Sequence, residues 1–346
     1  MDKRVIFAVA GSGKTARIIE KLELNKRSLI ITYTENNYKN LKIRIIRKFG
    51  FFPENIKLYT YFTFLYSFCY KPFLSRTLKA KGISWEIPSR YLKKDIGSLA
   101  PNYSYFMDRN RKLYSNRIAK LLEQMQIQKE VIDRLEKYVD NLFIDEIQDF
   151  GGHDFNLLKF ITKSNINITF VGDFYQHTFD TSKDGNTNKN IHKEYEKYKL
   201  LFQKMGLIVD TESLKKSYRC SPDTCNFVST KLDIYIESDK DDKTNILYVD
   251  DEEEADRIFR DNNIVKLFYQ NSTKYSCYSN NWGKSKGEDH YEDVCIVLNP
   301  TTLGKYTKDK LLELNPQTKN KLYVACTRTR GNLYFISEKM YKKFKI

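Results

Sequence analysis

The 346-residue chain has six cysteines and four histidines, but no C-x-x-C pair and no Cys/His spacing that would ligate a metal. Cys69, Cys220, Cys225, Cys277, Cys295 and Cys326 therefore read as reduced thiols, with Cys220 and Cys225 the closest pair. The N-terminus has no apolar targeting stretch, and no apolar run approaches the ~18 residues of a membrane helix. The expectation is a soluble, cytoplasmic protein with no membrane partner. Acidic residues are also in short supply, with 44 Asp and Glu against 59 Lys and Arg, a formal net charge of +15. Such an excess points to a polyanionic partner, most simply nucleic acid; a compositional bias toward Lys, Asn, Tyr and Ile would produce it too. Aromatics are abundant, with 25 Tyr and 22 Phe; most must be core, and the remainder could stack bases. The length suits two domains, each with its own core.

What the chain does have begins at Val5. Val5 to Val9 is the apolar, partly β-branched run expected of a strand buried on both faces, and it leads into Ala8-Val-Ala-Gly-Ser-Gly-Lys14-Thr15. Gly11 and Gly13 permit backbone angles that a side chain forbids. Successive N–H groups can then converge on phosphate oxygens at the start of the following helix, Ala16 to Leu24. In such a loop Lys14 reaches the β- and γ-phosphates and Thr15 ligates Mg²⁺. The strict motif opens with Gly where this chain has Ala8, and a Gly/Ser turn before a basic helix is the plainer reading. Arg27 to Tyr33 reads as a second strand, Tyr38 to Phe49 as a basic helix, and Ile56 to Tyr59 as a third strand before the aromatic Thr60 to Phe64. Strand, helix, strand opens an α/β sheet. Lys71 to Lys137 reads as a small helical insertion, with helical patterns over Tyr91 to Lys94, Arg109 to Leu122 and Val131 to Lys137.

The apolar run at Val139 ends abruptly in Asp145-Glu-Ile-Gln-Asp149. A buried strand with acids at its tip places Asp145 where it can hold Mg²⁺, and Glu146 where it can deprotonate an attacking water. Asn165 to Val171 repeats the pattern and ends in Gly172-Asp-Phe-Tyr-Gln176, whose Gln amide can sense a γ-phosphate. These residues describe a Mg²⁺-dependent nucleotide hydrolase without saying which one.

The ordered set Ala8 to Thr15, D-E-x-Q-D at Asp145 and V-G-D-x-x-Q at Val171 resembles the motifs of superfamily 1 DNA helicases of the UvrD/Rep type. Leu214 to Ser221, containing Tyr218 and Arg219, resembles motif IV. Lys284 to Glu288 with Val294 to Leu298 resembles motif V, and Lys321 to Arg330 resembles motif VI. The T-Y-T-E-N segment at Thr32 and T-Y-F-T-F at Thr60 stand where motifs Ia and Ib belong. The resemblance implies an α/β fold of two RecA-like P-loop NTPase domains with parallel sheets. The first would be 1–204, with the helical insertion at about 71–137, and the second 205–346, with ATP in the cleft between them. It implies that Ala10, Gly11, Ser12, Gly13, Lys14, Thr15 and Ala16 hold ATP and that Thr15 and Asp145 hold Mg²⁺. Glu146 would act on water, Gln176 on the γ-phosphate, Arg219 and Arg328 as arginine fingers, Tyr218 on the base and Glu288 near the ribose. Thr32, Tyr33, Thr60, Phe62 and Lys286 are the candidates for gripping single-stranded DNA, with RNA the other candidate polymer.

The chain also departs from that family. Only Met1 to Val5 precede the loop where the family has an adenine-reading glutamine segment. After Gln176 the family's aromatic–Arg–Gly–Ala segment is missing, and Phe179 is the nearest match for its stacking ring. No room exists between motifs IV and V for the large accessory domain; Asn245 to Val249, an acid-led helix and Ile264 to Tyr269 fill that interval. The expected activity is an ATP-dependent helicase or translocase on single-stranded DNA. The alternative is a regulatory ATPase subunit of a nuclease-containing repair or anti-phage defence complex.

Overall fold

Apolar runs of four to six residues need cover on both faces, and here they assemble into two parallel sheets. The computed structural model describes residues 1–88, 103–178 and 186–346. The first sheet contains β1 (Lys3–Phe7), β2 (Ser28–Thr32), β3 (Ile56–Thr60), β4 (Asn141–Ile144), β5 (Asn167–Gly172) and β6 (Ile208–Asp210), in the order β3-β2-β4-β5-β1-β6. Ile30 pairs with Leu58 on one side and Phe143 on the other, and Phe143 pairs with Thr169. Leu29, Ile30 and Ile31 are at most 1% exposed, each burial contributing about 1.5–3 kcal/mol. β5 lies between β4, which leads into Asp145, and β1, which feeds the glycine loop. Ligands collect at the carboxyl edge of such a sheet.

The second sheet contains β7 (Ile246–Val249), β8 (Ile264–Phe268), β9 (Ser279–Asn281), β10 (Asp293–Leu298) and β11 (Leu333–Ser337), in the order β7-β11-β10-β8-β9. Side chains alternate between two cores. Val265, Leu267, Val294, Ile296 and Phe335 enter one with Trp282, while Phe268, Cys295, Val297 and Ile336 enter the other with Ile258 and Tyr341. Between β7 and β8 runs the Glu252–Arg260 helix, giving the strand, acid-led helix and strand expected there. Asp251 caps this helix by accepting from the Glu254 amide at 2.8 Å, and three glutamates in its first turn complement the dipole.

The chain divides into two compact units. Met1–Ile6, Thr15–Gly172 and Phe179–Asp210 form the first; Phe7–Lys14, Asp173–Thr178 and Thr211–Ile346 form the second. The insertion holds helices Lys71–Leu78, Tyr103–Phe106, Ile118–Gln124 and Gln128–Tyr138. The Tyr91 to Lys94 helix falls outside the described residues. The expected Arg109 to Leu122 helix is corrected: Lys112–Tyr114 is a strand paired with Gly82–Ser84, and helix begins only at Ile118. The cause is local. Asp108 Oδ1 accepts the amides of Asn110 and Lys112, at 2.9 and 2.8 Å, and Arg111 takes φ +59°, which closes a turn instead of a helix. The first strand stops at Phe7 rather than Val9, and the first helix, Lys14–Glu20, is shorter than expected. Among the described residues no helix is long and apolar enough to cross a membrane.

Candidate active site

In the first unit the strand tip at β4 concentrates acids. Asp145 is 2% exposed and Glu146 7% exposed. Glu146 takes a left-handed φ of +57°, a costly conformation for a residue with a Cβ. The turn is held by its neighbours: Asp145 Oδ1 accepts the Glu146 amide at 3.0 Å, and Gln148 Nε2 donates to Glu146 Oε2 at 2.6 Å. Gly172, at the end of β5, makes room for this; a Cβ there would fall on Gln148 Oε1 and 2.7 Å from Ile147 Cγ2. Tyr198 Oη donates to the Ile147 carbonyl at 3.1 Å. Thr15 and Ala16 open the helix after the loop and are half-buried.

The second unit holds the glycine loop itself. Gly11 and Gly13 have φ of +73° and +85°, as expected of a loop that turns its amides inward. Ser12 is buried, and its Oγ donates to the Val9 carbonyl at 2.8 Å. The Tyr218 amide donates to the Gly11 carbonyl at 3.0 Å, and a Cβ on Gly11 would lie 2.7 Å from Ser217 Oγ and 2.8 Å from Arg219 Cβ. Loop and arginine segment are thus in backbone contact. Lys14 is half-buried and makes no ion pair among the described residues.

Arg219 and Arg328 lie side by side, 8% and 2% exposed. Arg219 Nη1 donates to the Thr327 carbonyl at 2.9 Å and Nη2 pairs with Asp289 Oδ1. Arg328 donates from Nε to the Val324 carbonyl at 3.1 Å and from Nη1 to the Glu288 carbonyl at 3.3 Å, and its Nη1 lies 3.9 Å from the same Asp289 oxygen. Burial, and then the neighbouring Arg219, push Arg328 down to about 10, with Asp289 opposing. Two guanidinium groups around one carboxylate leave a net positive, largely dry site that favours a second anion. The Cys220 thiol beside them is pushed down, first by a hydrogen bond from Cys225 and then by Arg219.

Gln176 is 3% exposed, and its Nε2 donates to Asp173 Oδ2 at 2.9 Å. Tyr218 is 58% exposed, open to a stacking partner. The Glu288 carboxylate is 3.4 Å from His290 Nδ1. Of the nucleic-acid candidates, Thr32 is fully buried, Thr60 caps a short helix, and Phe62 packs 5.6 Å from Tyr33 and 4.8 Å from Trp85. Lys286 is half-buried in the second unit; Phe179 lies outside the described residues. Sequence reasoning missed Asp289, Gln148, Asp173, Tyr323 and the exposed Trp85. Asp289 follows directly after the Lys284 to Glu288 stretch, which was the available signal.

Among the described residues no group of three or more His, Cys, Asp or Glu side chains is placed to hold a metal ion. Thr15 and the buried carboxylate of Asp145 belong to one unit and are oxygen donors of the kind Mg²⁺ takes, with phosphates and water filling the rest of its shell.

Residues 74–199, which include the Asp145 tip and Gln176, match the family model of the UvrD/REP helicase N-terminal domain. That segment is similar to the N-terminal domain of UvrD/REP helicases. The two parallel sheets are those of RecA-like domains. Its structure is similar to that of arterivirus nonstructural protein 10, a helicase, in complex with DNA: TM-score 0.49, 12% identity, covering 99% of this chain and 63% of that one. A crystal structure of arterivirus nonstructural protein 10 gives TM-score 0.48 and 13% identity, with 99% and 62% covered. The chain thus spans less than two thirds of the length of either. No curated protein matches it.

Proposed function

We propose that this chain is an ATP-driven translocase or helicase acting on single-stranded DNA. The observation that carries the reading is the glycine loop in backbone contact with Arg219, beside a second buried arginine. The loop amides and Lys14 bind the phosphates. Thr15 and Asp145 would hold Mg²⁺, which supplies charge neutralisation on the phosphates when bound. Glu146, oriented by Gln148, takes the proton of the attacking water as its oxygen bonds to the γ-phosphorus. The bond to the bridging oxygen breaks, and ADP and phosphate leave. Gln176 orients the γ-phosphoryl group, while Arg219 and Arg328 meet the charge that develops on it, a contribution of about 10³–10⁵ in rate for such arginines. Tyr218 packs on the base and Glu288 approaches the ribose. Tyr33, Thr60 and Lys286 contact the strand, and the net +15 charge makes that grip sequence-independent; Thr32 and Phe62 are buried and are not strand contacts. The match of residues 74–199 to the UvrD/REP helicase N-terminal domain and the carboxylate tip that follows β4 support this reading.

The test is ATP hydrolysis measured with no polymer, single-stranded DNA, duplex DNA and RNA. Single-stranded DNA is expected to raise turnover many-fold, and Lys14→Ala or Glu146→Gln to abolish it. Equal rates with and without polymer, or turnover surviving Lys14→Ala, would overturn the reading.

A further inference from the structure

Tyr323 sits in the Pro316–Cys326 helix with no exposed surface, and its hydroxyl is fully used. It accepts the Ala10 amide of the glycine loop at 2.9 Å and donates to Asp173 Oδ2 at 2.8 Å. That same carboxylate oxygen accepts Gln176 Nε2 at 2.9 Å, while Oδ1 accepts the Tyr175 amide at 3.1 Å. An ionised carboxylate only accepts, so Asp173 fixes both the direction of the phenol proton and the orientation of the Gln176 amide. Burial, and then Asp173, push the phenol well above its ordinary value, so it stays a donor across the working pH range. One turn further along, Thr327 donates from N and Oγ1 to the Tyr323 carbonyl, at 3.0 and 2.8 Å, and the next residue is Arg328. Asn320, one turn earlier, donates to the His177 carbonyl at 3.0 Å, which fastens the helix to the segment carrying Gln176.

We propose that Tyr323 is the positioning residue that holds the Ala10 end of the phosphate loop, Gln176 and Arg328 in a single register, linking the groups that bind the triphosphate to those that act on it. This rests on the reading given under Proposed function. The hydroxyl touches no substrate and transfers no proton; it sets where three other groups stand. A misplacement of about 1 Å in such a constellation can cost on the order of 10²-fold in rate, whereas phosphate binding through the remaining loop amides and Lys14 survives.

The variant is Tyr323→Phe, which keeps the ring that packs against Tyr175 at 6.1 Å and removes one oxygen. The expected result is kcat for DNA-stimulated ATP hydrolysis lowered about 10- to 100-fold with KM within about threefold. Preference for a non-hydrolysable triphosphate over ADP, read by fluorescence titration, should fall with it. Asp173→Asn should show the same split, and Tyr323→Phe/Asp173→Asn should be no worse than either single variant, as members of one network are not additive. Wild-type turnover with kcat in Tyr323→Phe within twofold overturns this proposal alone. So does a loss in which kcat and KM deteriorate together with thermal stability, the mark of a structural role. A wild-type chain that neither binds nor hydrolyses a triphosphate overturns the functional reading and takes this proposal with it.

Discussion

Gly172→Ala tests the packing behind Glu146. The added methyl meets two kinds of neighbour: Gln148 Oε1, the end of a flexible side chain, and Ile147, whose Cγ2 lies 2.7 Å and backbone nitrogen 3.0 Å from the new Cβ. The first can swing away, but the backbone cannot, so overpacking should cost about 1–3 kcal/mol and lower Tm by roughly 2–12 °C. If Gln148 swings, its 2.6 Å hydrogen bond to Glu146 goes with it. Hydrogen bonds to charged groups contribute about 1.5–3 kcal/mol, and about 1.4 kcal/mol is tenfold in rate, so turnover should fall about 10- to 100-fold. The assay pairs urea unfolding with steady-state ATP hydrolysis for Gly172→Ala, Gln148→Ala and the double variant. Removing Gln148 makes space for the methyl, so the double variant should regain part of the lost stability while its turnover stays as low as that of Gln148→Ala. Unfolding of Gly172→Ala within about 0.5 kcal/mol of wild type, with unchanged turnover, would refute the reasoning.

Gly11→Ala adds left-handed strain of about 1–2 kcal/mol to close contacts with Ser217 and Arg219, and should weaken nucleotide binding at least tenfold in a fluorescence titration. Asp289→Asn strips the two arginines of their shared counter-ion. Because Asp289 is half-exposed, the loss of stability should be only about 1 kcal/mol, and added sulfate should raise Tm more in this variant than in wild type. Lys266 is buried in β8, donating to the Asp261 and Ile264 carbonyls at 2.7 and 2.8 Å, and burial lowers it from 10.5. Between its native value and 10.5 the unfolded chain binds more protons, so stability rises with pH over that window. Lys266→Met should flatten that rise in denaturant titrations run below pH 10.5.

The parts of this fold that were legible in the sequence are those that physics writes locally. Runs such as Leu29 to Ile31 and Val294 to Leu298 have no polar face, so they had to be strands covered on both sides. Asp145 and Gln176 stood where such runs end, and Gly11 and Gly13 stood where a loop must turn. The illegible parts depend on partners distant in the chain. Asp289 gains meaning only from Arg219 and Arg328, 70 and 39 positions away, and Tyr323 only from Ala10 and Asp173. The aromatic stretch Phe64–Tyr70 winds as a π-helix, a geometry that residue periodicity does not announce. Around Arg111 a single Asx turn outweighed the helical pattern.

The second unit borrows from far upstream in the chain. Ala10 is wholly enclosed in its core, with Val9 and Tyr175 packed alongside, so an expressed half-molecule starting at Thr211 would be born with a raw apolar socket where those two strips belong. Such a fragment should clump or recruit chaperones instead of standing alone, and on the ribosome the late-made portion can finish folding only because its missing pieces were synthesised first.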